Sequence, residues 1–120
     1  MMELKEQTKT LKIHLNNLKD QYENNPPPEN KKDRQLFQKV KKETSPIYEL
    51  LATWEENALK LIKERKINMH PQQITSTLEN MELLLMHSYY IDVKRKRYME
   101  LHHSIHYIFD QLLREAESKT

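Results

Sequence analysis

Leu4-Lys5-Glu6-Gln7-Thr8-Lys9-Thr10-Leu11-Lys12-Ile13-His14-Leu15-Asn16-Asn17-Leu18-Lys19-Asp20-Gln21-Tyr22 sets Leu4, Thr8, Leu11, Leu15, Leu18 and Tyr22 at alternating intervals of four and three. That alternation places side chains in one stripe along an α-helix. The following Asn24-Asn25-Pro26-Pro27-Pro28 must end the helix, because proline lacks the backbone N–H and clashes with the preceding turn. The spacing predicts a first helix over about residues 2–23.

Three more stripes follow. Ile47, Leu50, Leu51, Trp54, Ala58, Leu61 and Ile62 form one, entered through Ser45-Pro46, where Ser suits the cap and Pro the first helical position. Ile74, Leu78, Met81, Leu85 and Ser88 form another, with Pro71 at its start, and Tyr98, Leu101, Ile105, Ile108, Phe109, Leu112 and Ala116 form the last. The predicted helices are 46–66, 71–90 and 97–117. Continuing the third stripe would bury Asp92 and Arg95, out of phase with Tyr98, so a turn is expected near Ile91 to Lys96.

The remaining composition narrows the class. The chain has 120 residues, no glycine and no cysteine, with 37% hydrophobic and 32% charged residues. Glycine-dependent phosphate loops are excluded, and hairpin turns are disfavoured. Missing cysteine excludes disulfides and thiolate ligands and fits a reducing, cytoplasmic setting. The opening MMELKEQTKT has neither a signal peptide's apolar core nor an anchor, and no run is long enough for a membrane span. The predicted fold is all-α: one domain, residues 1–120, forming an antiparallel up-and-down four-helix bundle.

The first connection is long and carries Leu36, Phe37 and Val40 at helical spacing. It is read as a short extra helix or turn over 33–42, lying on the third helix, where Leu83, Leu84 and Met86 sit off the main stripe. These six residues are the candidate interaction surface, with a homodimer contact as the competing use.

The pieces Trp54-Glu-Glu-Asn-Ala58-Leu59-Lys-Leu61-Ile62-Lys63-Glu-Arg65, His70-Pro-Gln-Gln-Ile74, Ser88-Tyr89 and Lys96-Arg97-Tyr98 resemble, in order and spacing, the YppE-like family of small bacterial proteins. The likeness spans about residues 36–113. It implies a four-helix fold and a cytoplasmic setting in Gram-positive bacteria, and it supplies no catalytic residues.

Glu100-Leu-His102-His103-Ser-Ile-His106 raises the question of a metal. Helical geometry puts Glu100 and His103 on the outer face and His102 and His106 at the edge of the buried arc. A di-iron bundle needs inward Glu-x-x-His pairs on two helices, and zinc needs a third and usually a fourth ligand beside His102 and His106. Metal binding at His102/His106 is therefore the weakest functional alternative, and no cofactor is expected. No serine or carboxylate constellation specifies a reaction.

Charge is the more informative feature. Lys31, Lys32, Arg34, Lys39, Lys41 and Lys42 against Asp33 leave five net positives, in a chain of formal charge +2. Lys94, Arg95, Lys96 and Arg97 against Asp92 add three more. An up-and-down bundle brings the first and third connections to one end, so a polyanion or nucleic-acid site there is the alternative to a non-enzymatic protein-interaction module. Phe37 and Tyr98 flank the basic runs: exposed rings would favour stacking on bases, and buried rings a solvated connection.

Overall fold

The computed structural model describes residues 2–118. Its four helices are α1 (Met2–Asn24), α2 (Arg34–Lys63), α3 (Pro71–Tyr90) and α4 (Arg95–Ser118). Each follows its neighbour antiparallel. α1 packs on α2 and α4, and α3 on the same two; α1 and α3 also meet across the diagonal, while the α2 and α4 backbones stay apart. Side chains close that remaining gap: the Trp54 and Phe109 rings meet edge to face, with centroids 5.5 Å apart.

The core is made by the four stripes. Leu4, Leu11, Leu15 and Leu18 of α1 meet Leu51, Trp54 and Ala58 of α2, Ile74, Met81 and Leu85 of α3, and Leu101, Ile105, Phe109 and Leu112 of α4. Leu78 and Ile108 lie at its margin, partly buried. Ile67 and Met69, between α2 and α3, plug one end, and the backbone N–H of Asn68 is held there by Glu115 at 2.9 Å.

The second helix begins earlier than expected. The segment predicted as a separate short helix over 33–42 is the first part of α2, which runs without interruption through Pro46. Ser45 therefore does not cap a helix; its hydroxyl donates to the Lys41 carbonyl inside the helix. The physical reason is that the buried stripe does not begin at Ile47. Val40, Thr44, Ile47, Leu51, Trp54 and Ala58 alternate four and three, so the apolar face holds the helix together across the proline. At about 1.5 Å per residue, 30 residues reach about 45 Å, which accounts for the molecule's long axis of 48 Å. The first turns, Arg34 to Lys39, bury no side chain fully and stand beyond the tightly packed part of the bundle.

Helix ends are built without glycine. Asp33 caps α2, accepting the Gln35 N–H at 3.0 Å. His70 and Gln73 form a reciprocal capping box at the start of α3, with Pro71 as first residue: His70 Nδ1 accepts the Gln72 N–H, and Gln73 Oε1 accepts the His70 N–H. The C-terminal ends of α2 and α3 use Arg65 and Ile91 at φ 61° and 49°, in the left-handed region where glycine is normally preferred. After Arg65, the Lys66 N–H reaches back to the Leu61 carbonyl and the Arg65 N–H to the Ile62 carbonyl, a Schellman closure.

Candidate interaction surface

The end of the bundle that joins α1 to α2 and α3 to α4 is tied by aromatic and polar contacts. Tyr22 and Tyr98 stack face to face, with centroids 4.0 Å apart and planes 2° from parallel. The Tyr22 hydroxyl donates to the Val93 carbonyl at 2.6 Å, and Tyr98 and Ser88 share a 2.6 Å hydrogen bond inside the core. Burial, chiefly, pushes the Tyr98 phenol well above its ordinary range. Arg95 bridges to Glu23 across the same end at 3.0 Å.

Lys31 of the first connection lies within electrostatic reach of Asp92 in the third. Burial alone would raise the Asp92 carboxyl, yet its hydrogen bond with His87 and the charges of His87 and Lys31 hold it below the usual carboxylate range. Arg95 and Arg97 are partnered by Glu23 and Glu100, whereas Lys31, Lys32, Arg34, Lys39, Lys41, Lys42, Lys94 and Lys96 make no ion pair within 4.0 Å among the described residues. Because α2 is continuous, Lys39, Lys41 and Lys42 lie along its side rather than in a connection. Lys42 faces a cleft of about 460 Å³ between α1 and α2 that also holds His14, Glu43 and Tyr89. Burial lowers the His14 imidazole and raises the Tyr89 phenol, the latter with help from the Glu43 charge. Pro46 lines this cleft and has no N–H to offer the Lys42 carbonyl.

The predicted apolar surface divides. Leu84 is fully buried and belongs to the core, so its assignment to an interaction surface is corrected: it widens the buried face of α3. Val40 is buried too, and Leu36 is half-buried. Phe37 and Leu83 remain on the surface, 58% and 47% exposed. Phe37, Val40, Lys41, Thr44 and Tyr48 of α2 face Met86 and Tyr90 of α3 across a groove of about 260 Å³. The Thr44 hydroxyl is occupied by the Val40 carbonyl at 2.7 Å, leaving an almost wholly apolar floor. Burial, then the Glu82 charge, raises the Tyr48 phenol and places a carboxylate near that end of the groove. Thr44, Tyr48 and Tyr90 escaped the sequence reading; the four-three spacing running back from Ile47 through Thr44 to Val40 was the signal that would have found Thr44.

The two rings flanking the basic runs part company: Tyr98 is buried and Phe37 is exposed. The former cannot stack on a base.

The histidines are divided between surface and core. Glu100 and His103 are exposed. His102 is more deeply placed than the edge position expected, at 6% exposure, and neither ring nitrogen has a hydrogen-bond partner among the described residues. Its ring stacks near His106 with centroids 5.9 Å apart. His106 Nδ1 lies 3.0 Å from Asp110, whose other oxygen accepts from Lys12 at 2.6 Å. Among the described residues no three His, Asp or Glu side chains converge as ligands. Burial, followed by the charges of Lys19, His106 and His103, lowers the His102 imidazole to about 4.

A family model described as a bacterial domain of unknown function, DUF1798, matches residues 8–116. The chain belongs to the DUF1798 family. The match reaches into α1, which the quoted motifs did not include. The Bacillus subtilis (strain 168) protein described as uncharacterized protein YppE is 32% identical over 85 residues, 67% of this chain and 69% of the relative. The crystal structure of Bacillus subtilis YppE superposes with a TM-score of 0.85 at 26% identity, covering 98% of this chain and 95% of that one. Its solution NMR structure gives a TM-score of 0.79 at 25% identity, covering 100% and 98%. The four-helix arrangement is thus shared with Bacillus subtilis YppE. In this member the motif His70-Pro-Gln-Gln serves as the α3 capping box, and Tyr98 of Lys96-Arg97-Tyr98 locks the end turn through Ser88. No helix among the described residues is long and apolar enough to cross a membrane.

Proposed function

We propose that this protein is a non-enzymatic interaction module, acting in the cytoplasm of a Gram-positive bacterium, that docks a protein partner on the groove between α2 and α3. The observation carrying the reading is Phe37, a large ring 58% exposed at the mouth of an apolar groove floored by Val40, Tyr48, Met86 and Tyr90. Aromatic and methionine side chains around a concave apolar surface are what protein interfaces favour. The Thr44 hydroxyl in its floor is already committed to the backbone, and the surface it leaves is almost wholly apolar, which suits docking.

A second reading, polyanion binding, is supported by the approach of Lys31 to the α3–α4 turn and by the unpaired cations at that end. One experiment separates the two. The tagged protein and its Phe37→Glu variant are used to capture partners from lysate, with and without nuclease. The interaction reading expects nuclease-resistant capture that the variant loses. Capture that vanishes with nuclease, equally in both proteins, removes that reading and favours the polyanion.

A further inference from the structure

The groove and the basic run were separate features in the sequence; the uninterrupted α2 makes them one surface. Arg34 and Lys41 stand three residues before and four after Phe37, so all three share a side of the helix. Neither cation has an ion-pair partner among the described residues. An exposed ring bracketed by free cations, beside an apolar floor whose far end at Tyr48 has Glu82 near it, calls for a ligand that is apolar on one face and negative where it passes Phe37.

We infer that the groove receives an acidic amphipathic helix from another protein, its apolar ridge between α2 and α3 and its carboxylates against Arg34 and Lys41. This rests on the interaction reading above and adds the chemistry of the partner. The groove lies between two antiparallel helices, a cleft that accepts anchors spaced three, four and seven residues apart on a third. Met86 supplies a deformable wall for side chains of different shape. A second copy of this chain is the poorer occupant. A two-fold contact through Phe37 would set the same segment against itself, and residues 31–42 carry six cations against one carboxylate. Nucleic acid would satisfy the cations and stack on Phe37, yet would leave Met86 and Tyr90 unused.

The test is an amide-resolved NMR titration of the full chain with three probes: two synthetic amphipathic peptides sharing one apolar ridge, with Glu in one and Lys in the other at every polar position, and a single-stranded RNA oligonucleotide. The Glu peptide is expected to shift Phe37, Thr44, Met86 and Tyr90, to weaken as salt rises, and to lose about tenfold or more in affinity in Phe37→Ala. The Lys peptide should bind at least about tenfold more weakly, and the double variant Arg34→Glu, Lys41→Glu should reverse the preference. Because all three substituted positions are exposed, the fold is retained. Equal affinity for both peptides at the groove overturns the acidic preference while leaving the interaction reading intact. Binding of neither peptide, or binding indifferent to Phe37→Ala, overturns both. RNA shifting the lysines of 31–42 and 94–97 without Met86 and Tyr90, where neither peptide shifts the groove, overturns both in favour of the polyanion.

Discussion

The indole N–H of Trp54 donates to the Thr8 hydroxyl at 3.0 Å, inside a core where both residues are fully buried. Thr8 in turn donates to the Leu4 carbonyl at 2.8 Å. The only threonine on the α1 stripe is thus the acceptor that allows tryptophan to be fully buried on α2. Thr8→Val keeps the volume and orphans the indole, and should cost about 1–3 kcal/mol. Denaturant unfolding of Thr8→Val, Trp54→Phe and the double variant checks this. The double variant should lose less than the sum of the singles, and strict additivity would show that the pair is not coupled.

Pro46 sits thirteen residues into α2, where a proline removes one helical hydrogen bond and crowds the previous turn. Its side chain is exposed, so alanine sacrifices little packing. Pro46→Ala should raise stability by about 1–3 kcal/mol, read as a higher denaturation midpoint. A lower midpoint would mean that the local distortion is required by the surrounding contacts.

Arg65 and Ile91 hold left-handed backbone in a chain that has no glycine. Arg65 is exposed, and Arg65→Gly should gain about 1 kcal/mol by relieving the Cβ contact. Ile91 is partly buried against the core, so Ile91→Gly trades relief of strain for lost packing and should gain less or become destabilising. Thermal melts of the two variants should therefore move differently; an equal rise would mean that Ile91 contributes no packing.

His102 couples stability to pH. Its folded-state pKa, about 4, lies below the ordinary 6.5, so between these values the unfolded chain binds the extra proton. The contribution is complete above pH 6.5 and is lost as pH falls toward 4, amounting to about 3 kcal/mol over the window. His102→Leu removes two nitrogens that have no hydrogen-bond partner among the described residues, and should leave stability at neutral pH unchanged or higher while flattening the decline on acidification. Wild type and variant declining in parallel across that window would assign the acid sensitivity to other groups.

The sequence by itself determined the helices as stripes. Leu4 to Tyr22, Ile74 to Ser88 and Tyr98 to Ala116 could be read because burial of one face imposes a period near 3.6, and that period survives in a single chain without knowledge of neighbours. It also placed Trp54, Leu85 and Ile105 in the core, and Glu100 and His103 outside it. Only tertiary structure decided the fate of Pro46, because a local signal that normally starts a helix was outweighed by Val40 and Thr44 burying on the bundle. The same packing set Leu84 inside, although it had looked like a surface candidate as Phe37 did. His102 was settled there as well: helical phase locates a residue on the wheel, but whether its ring meets water or protein depends on how closely the next helix approaches. The groove belongs to that second level, since its α2 and α3 walls are far apart in sequence and become a surface only when the long helix lies against its neighbour.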